Sequence, residues 1–336
     1  MTTAAEAVER PVPTPRTLRS RLDLGDVAFR ALARAGGGTV LLIMVLVGTF
    51  LGLRAMEALK VSGWSFLTEQ AWEPDAGHFG IRAVLLGTVL IGVVAVCVAL
   101  PLSIGTALYI SEYAPHRLSR SLVSLVDLMA AVPSVVYGLW GFAFLQGTMV
   151  GLSRWIATYF GWFPLFRVDG SDPRDPLATS TVYTSSTFIA GVVVGLMITP
   201  VMSSVMREVF SAAPMGEREG AYALGATRWT MIRAVVLPFG RGGMIGGTML
   251  GLGRALGETI AVYMIIAMFI HVQPHILQNG GSSISALIAS KYGEATHIGT
   301  SALMAAGLAL FLVTLGINFI ASSIVARTRS GAESDV

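Results

Sequence analysis

Charged residues are scarce in this sequence. Asp, Glu, Lys and Arg account for 13% of its 336 residues, whereas about 25% is usual in a soluble domain. Hydrophobic residues account for 54%, and the mean hydropathy is +0.69. Because so few charges do not cover the surface of a water-soluble protein of this size, the composition excludes an ordinary soluble domain. It predicts a chain that lies in a lipid bilayer.

Features of enzymes and of disulfide-bonded proteins are also missing. The single cysteine, Cys97, has no partner within the chain for a disulfide. No G-x-x-x-x-G-K-[ST] loop is available to hold a nucleoside triphosphate, and neither G-x-S-x-G nor H-E-x-x-H occurs. His271 and His275 have ligand-like spacing, but Pro274 breaks the helix that would align them. We therefore expect no catalytic residue, metal, cofactor or nucleic-acid partner for this chain.

Six long apolar runs predict an all-α integral membrane protein, since about 17–25 residues cross a bilayer as a helix. The predicted spans are about 36–53, 83–110, 122–146, 187–206, 242–270 and 298–326. They form one transmembrane domain over 35–328, between an N-terminal tail (1–34) and a short C-terminal tail (329–336). In the N-terminal tail the apolar spacing from Leu24 to Leu32 predicts an amphipathic helix on the membrane surface.

The distribution of lysine and arginine predicts how the six spans are oriented. These residues accumulate in short loops on the cytoplasmic side. With the N-terminus inside, fifteen of them fall on the inner side and seven on the outer side. Both termini are therefore expected in the cytoplasm.

Residues 217–238, EREGAYALGATRWTMIRAVVLP, differ from a simple polar loop. Pro214 suits the start of a short helix, and Gly225 suits its end with a positive φ. Thr227 suits the cap of a second short helix, which Pro238 would end. Because apolar and polar residues mix on both helices, the pair is expected to present a face to another protein.

This segment resembles the signature loop of permeases in ATP-binding-cassette (ABC) importers, in which a glutamate and small residues precede a glycine and a late Ile-x-Leu-Pro follows. The matching residues are Glu219, Ala221, Gly225, Val235, Leu237 and Pro238, with Gly220 and Val235 standing where alanine and isoleucine are usual. The resemblance implies a type I permease core with a cytoplasmic coupling loop over 211–240. Its first short helix would fit a cleft on an ATPase, with Glu219, Tyr222 and Ala223 in contact.

Five further stretches resemble the PstC-type permeases of phosphate-specific importers. They are LGDVAFRAL, TALYISEYAP, AAVPSVVYGLWG, GRALGETIAV and GGSSISALIASKYGEA. The resemblance implies phosphate transport across a bacterial plasma membrane by half of a heterodimeric pore. It also implies a second homologous permease, an extracytoplasmic phosphate-binding protein, and two cytoplasmic ATPase subunits that bind ATP and magnesium.

Arg254 and Glu258 interrupt the fifth apolar run. An arginine at a bilayer centre costs from ~3 to over 10 kcal/mol unless it faces protein, water or a partner. Four residues apart on a helix, the two side chains can pair, while the guanidinium keeps donors for phosphate oxygens. The resembled family associates this pair with transport, so both are expected on the substrate path, with a purely structural pair as the alternative.

The third apolar run contains a proline, Pro133, which frees a carbonyl one turn back. Broken helices often line transporter sites. Ser134 and Tyr137 are therefore candidate donors to an oxyanion, or donors in hydrogen bonds between helices. Thr259, beside Glu258, is a further candidate. Glycines spaced four apart predict close packing of the fifth helix: Gly243, Gly247 and Gly251.

Three other functions stay open on the sequence. The first is an importer for sulfate or molybdate, which are also tetrahedral oxyanions. The second is an ion-coupled secondary transporter that uses Glu258 as a proton carrier. Such a transporter has no need of a helix that docks on an ATPase. The third is a membrane component that senses rather than transports.

Overall fold

A computed structural model describes residues 24–175, 179–267 and 269–329. The expectations for residues 1–23 and for 330–336 lie outside this part. Six of its helices are long and apolar enough to cross a membrane: Gly25–Ser62, Arg82–Tyr113, Ser134–Phe160, Thr187–Ser211, Arg228–Leu256 and His297–Ile320. The predicted all-α membrane fold is confirmed.

The helices are numbered in chain order. They are α1 (Leu24–Ser62), α2 (Ser65–Thr68), α3 (Arg82–Leu108), α4 (His116–Ala131), α5 (Ser134–Trp140), α6 (Gln146–Phe160), α7 (Thr187–Ser211), α8 (Met215–Ala223), α9 (Arg228–Met231), α10 (Leu237–Leu256), α11 (Ile260–Ile265), α12 (Ile284–Lys291) and α13 (His297–Arg329). Three π-helical turns, Tyr109–Tyr113, Gly141–Leu145 and Ile232–Val236, extend or join them. A short antiparallel hairpin pairs β1 (Trp72–Glu73) with β2 (His78–Phe79).

The chain divides after Thr49 into two compact units. The described residues of the first unit are all helical, and none of the described side chains among 25–49 is buried. The structure corrects the prediction of a separate surface helix before the first span, because helix α1 runs without interruption from Leu24 to Ser62. No proline lies in that range to end the helix.

Helices α3 and α7 form the core of the second unit, and both are more than half buried along their apolar windows. Two glycines of α7 make the close contact. A Cβ atom on Gly191 would stand 2.5 Å from Val94 Cγ1, and one on Gly195 would stand 2.8 Å from the Ala95 carbonyl oxygen. The two backbones therefore approach more closely than larger residues would allow.

Helix α10 also packs against α7, through the predicted glycine series. A Cβ on Gly251 would stand 2.5 Å from Met202 Sδ, and one on Gly247 would stand 3.4 Å from the Met202 carbonyl oxygen. Gly243 lies against Val209. The prediction of close packing by this helix is confirmed for contacts within the chain.

The third span is displaced from its predicted position of 122–146. Helix α4 ends before Pro133, and Val132 has the extended backbone (φ −64°, ψ 128°) that a residue before proline prefers. The membrane-length helix instead begins at Ser134 and continues to Phe160.

The fifth span also differs from the predicted helix over 242–270. It begins at Arg228 and ends at Leu256, and α11 follows as a separate short helix. Pro238 does not end a helix. In the π turn before it the Leu237 N–H donates to the Ile232 carbonyl, five residues back. This shift of the ladder accommodates the proline at the second position of α10.

The α3–α7 contact predicts a sharp difference between two glycine substitutions. Gly195→Ala should lower the free energy of unfolding by about 1–3 kcal/mol, because the added methyl meets the backbone of α3. Gly105→Ala, on α3, has nothing within 4 Å of the new atom and should be neutral or stabilising. Thermal unfolding of the purified chain in detergent compares them. Equal melting temperatures for the two variants would contradict the close packing.

Candidate functional site

Glu258 lies in the break between α10 and α11 and stabilises it. Its Oε1 accepts a hydrogen bond from the Ala261 N–H at 3.2 Å. Its backbone carbonyl accepts one from Ser285 Oγ at 2.8 Å. Thr259, next in the chain, donates from Oγ1 to the Gly257 carbonyl at 3.2 Å.

The expected ion pair between Arg254 and Glu258 is not formed. Among the described residues no nitrogen–oxygen distance of 4.0 Å or less joins the two side chains. The reason is the end of α10 at Leu256. Beyond that residue, a spacing of four no longer places two side chains on one helical face.

Tyr137 closes the break between α4 and α5. Its hydroxyl donates to the Met129 carbonyl at 3.1 Å. Pro133, four residues on, has no N–H to donate to that carbonyl, which also accepts a weaker bond from the Val132 N–H at 3.3 Å. Ser134 begins α5 and is half-buried. The hydrogen bond of Tyr137 therefore already has a structural use, which is one of the two roles that its sequence position suggested.

The two breaks lie next to each other because α5 packs against α11. A Cβ on Gly138 would stand 2.9 Å from the Ala261 Cα. The positive charge of Arg254 lies close enough to interact with the phenol of Tyr137. The structure thus places Tyr137 within the electrostatic range of Arg254, and α5 against the helix that follows Glu258 and Thr259.

Arg254 is the candidate whose hydrogen-bond donors are not used by the described part of the protein. Its side chain is exposed, and it makes no hydrogen bond or ion pair within the part of the chain that the structure describes. A guanidinium presents five N–H donors in a planar fork that suits the oxygens of a tetrahedral oxyanion. This group is therefore able to bind an anion that reaches the α5–α11 contact.

Two of the predicted helix ends after α7 are present. Gly225 has φ +80°, the Gly225 N–H donates to the Tyr222 carbonyl, and the Ala226 N–H donates to the Ala221 carbonyl. This is the Schellman arrangement at a helix C-terminus. Thr227 caps α9 by accepting from the Thr230 N–H at 3.3 Å. Both capping predictions are confirmed.

The predicted contact residues of helix α8 are exposed on the surface of the chain. Glu219, Tyr222 and Ala223 are exposed, while Ala221 packs against the buried core. Large apolar side chains on and beside this surface are exposed as well, and Leu224 is 91% exposed. The sequence analysis missed Leu224. The available signal was an apolar residue directly before a helix-ending glycine, where it has little core to enter.

The sequence analysis also missed a buried ion pair at this end of the bundle. Arg218 Nη1 lies 3.1 Å from Glu112 Oε1, and the side chains are 15% and 4% exposed, respectively. Nearby, the guanidinium of Arg228 lies 5.3 Å from the ring centroid of Tyr113. On sequence, Arg218 and Arg228 were counted only as positive charges of a loop.

Comparison with known proteins identifies the class. Residues 99–330 match the family model described as binding-protein-dependent transport system inner membrane component. Among solved structures, a bacterial alginate ABC transporter matches with a TM-score of 0.58 at 16% identity, over 90% of this chain and 96% of the other. The MetNI methionine ABC transporter matches with a TM-score of 0.51 at 16% identity, over 74% and 95%. At this level of sequence identity, the two structural matches show a shared fold alone.

Curated sequences narrow the class further. The phosphate transport system permease protein PstC 2 of Mycobacterium tuberculosis is 36% identical over 89% of this chain and 91% of that protein. PstC of Mycobacterium leprae is 37% identical over 93% and 97%, and PstC of Haemophilus influenzae is 38% identical over 82% and 84%. The chain therefore belongs to the family of binding-protein-dependent inner membrane transport components, and within it to the PstC permeases.

The hydrogen bond across the α4–α5 break predicts the effect of removing one oxygen atom. Tyr137→Phe leaves the Met129 carbonyl without its side-chain donor, and should lower the free energy of unfolding by about 0.5–1.5 kcal/mol. Tyr263→Phe is the control, because Tyr263 is half exposed on α11 and makes no side-chain hydrogen bond in the described part of the chain. Thermal unfolding in detergent measures both. A melting temperature of Tyr137→Phe equal to that of the control would contradict this role.

Proposed function

We propose that this chain is the permease subunit of an ATP-driven phosphate importer, where it forms half of the translocation path. The observation that carries the proposal is the match to PstC permeases over about nine-tenths of the chain. The exposed α8 surface agrees with it, since a permease without nucleotide-binding motifs needs a surface for an ATPase.

The other parts of the importer follow from the same proposal. A second, homologous permease supplies the other half of the path, and an extracytoplasmic phosphate-binding protein delivers the anion. Two cytoplasmic ATPase subunits bind ATP and magnesium, and one of them contacts α8. The chain crosses the bacterial inner membrane with both termini in the cytoplasm, as the excess of arginine and lysine around α8 and the N-terminal tail indicates. ATP binding closes the ATPases and turns the path outward, and hydrolysis resets it.

Within the path, Arg254 is proposed to bind the oxyanion. Its donors have no protein acceptor among the described residues, and the phenol of Tyr137 lies within range of its electrostatic field. Ser134 and Thr259 lie at the starts of α5 and α11, next to the same contact. Glu258 is proposed to act through the backbone, because its carboxylate caps α11 rather than facing Arg254.

Two alternatives differ in ways that experiment separates. A sulfate or molybdate importer would use the same fold and the same arginine, and it differs only in which anion competes. An ion-coupled transporter would use Glu258 as a proton carrier. It would work without α8, whose exposed apolar side chains then have no purpose.

Removal of the charge at residue 254 tests the path. In proteoliposomes that hold this chain with its partner permease, ATPase and binding protein, with ATP inside, Arg254→Gln should reduce phosphate uptake. The expected loss is about ten- to a hundredfold, as for a hydrogen bond to a charged group. Uptake of labelled phosphate is measured with and without excess sulfate.

Arg241→Gln is the matched control, because it removes an exposed arginine from the same helix and should leave uptake intact. Normal transport by Arg254→Gln would place the path elsewhere. Inhibition of wild-type uptake by sulfate would overturn phosphate as the preferred substrate.

A charge on the α8 surface tests the ATPase contact. Leu224→Asp puts a carboxylate on a side chain that is 91% exposed, so the fold of the permease should not change. The amount of ATPase that co-purifies with the complex should fall by about tenfold or more, as expected when a charge is placed in an apolar contact. Ser211→Asp, exposed at the end of α7, adds the same charge outside α8 and serves as the control. Equal retention of ATPase by both variants would exclude Leu224 from the contact.

A further inference from the structure

Arg218 of helix α8 is bonded on two sides. Its Nη1 lies 3.1 Å and 3.2 Å from the two carboxylate oxygens of Glu112. Its Nη2 donates to the backbone carbonyl of Phe210 at 2.6 Å. Because these side chains are 15% and 4% exposed, water does not replace either contact without moving the surrounding chain.

The two partners of Arg218 belong to the two core helices. Glu112 lies in the π turn Tyr109–Tyr113 that extends α3, and Phe210 lies in the last turn of α7. A third contact at the same place is the cation–π pair of Arg228 with Tyr113. Arg218 thus joins helix α8 to the ends of the central helix pair, while Arg228 joins α9 to the end of α3.

The backbone connections of α8 are short and are not regular helix. Residues 212–214 separate it from α7, and Gly225, at φ +80°, begins the turn that leads to α9. A force on α8 can therefore turn it about these two points unless another contact resists. An exposed ion pair resists little, whereas separating a buried pair leaves an uncompensated charge in a poorly solvated place. The Arg218 contacts are of the second kind.

We infer that Arg218 and Glu112 are positioning residues that make α3 and α7 move with α8 when the ATPase displaces it. The inference rests on the proposed function. Both side chains are nearly enclosed by their own chain, so neither is a contact for the ATPase or for phosphate. Their effect is on the coupling between ATP hydrolysis and transport.

The test measures transport and ATP hydrolysis in the same proteoliposomes. Glu112→Gln and Arg218→Gln should each lower phosphate uptake per ATP hydrolysed by about tenfold or more, while the ATPase remains bound and active. The double variant should be no worse than the more damaged single variant, because the two residues act as a pair. Glu208→Gln and Arg207→Gln remove the same charges from the last two turns of α7 and are the matched controls.

A second readout follows the position of α8 directly. Amide hydrogen exchange in the nucleotide-free complex should be about tenfold faster over Met215–Ala223 in both single variants, and unchanged in the controls. Arg218→Lys keeps the charge but not both bonds, so its exchange rate and its uptake per ATP should lie between those of the wild type and Arg218→Gln. This variant keeps the test valid if Arg218→Gln does not fold.

Unchanged exchange over α8, or an unchanged ratio of uptake to hydrolysis, would overturn the inference. Loss of the ATPase from the complex, or an equal loss of uptake and hydrolysis, would also overturn it, since the pair would then serve docking or folding. If the wild-type complex moves no phosphate, the proposed substrate fails. In that case exchange over α8 and the stimulation of ATP hydrolysis by the binding protein still decide the role of Arg218 and Glu112.

Discussion

The close contact between α3 and α7 is the feature on which the rest of the second unit depends. Between helices in lipid the hydrophobic effect gives little net attraction, so association comes from close packing, which small residues allow. Gly191 and Gly195 let α7 approach the backbone of α3, and the glycine series of α10 gives a similar close contact farther along α7. The ends of α3 and α7 then supply the carboxylate and the carbonyl that hold Arg218. The α10 contact in turn places Arg254.

Helix breaks impose a second constraint. In a bilayer no water is available for a freed backbone group, so each break needs a donor or acceptor from the protein. Tyr137 supplies a side-chain donor for the Met129 carbonyl, and Glu258 supplies an acceptor for the Ala261 N–H. These structural uses give the carboxylate and the phenol a role that does not depend on the proposed anion path. The carboxylate is directed at a backbone N–H, and Arg254 stays free of it.

The predictable parts are those that depend on neighbouring residues. Six apolar runs gave the membrane fold, and the Gly225 and Thr227 caps followed from local backbone requirements. The break after Leu256 was missed because Arg254 and Glu258 appeared to be four residues apart on one helix. Their pairing would require that helix to continue through Gly257.

The Glu112–Arg218 pair lies beyond the reach of such local reasoning. The two residues are 106 positions apart in the sequence, and their meeting depends on how α3 and α7 pack. The prediction for Pro238 failed for a different reason. A π turn before Pro238 removes the steric and hydrogen-bonding conflict that would otherwise end the helix. The spacing of apolar residues does not predict such a turn.

In the proposed importer, the distance between α8 and Arg254 requires that the coupling between them be mechanical. Helix α10 begins near α8, and Arg254 lies seventeen residues beyond its first residue, or about 26 Å at 1.5 Å per residue. Charge on α8 therefore has little direct effect on Arg254. A displacement of the end of α7, in contrast, reaches Val209 and Met202, and those side chains lie directly against Gly243 and Gly251 of α10. Because a glycine contact leaves almost no free space, α10 has to follow α7, and the exposed guanidinium at its far end moves with it. Helix α7 is thus the element that connects the exposed helix α8 to Arg254, the proposed anion-binding residue.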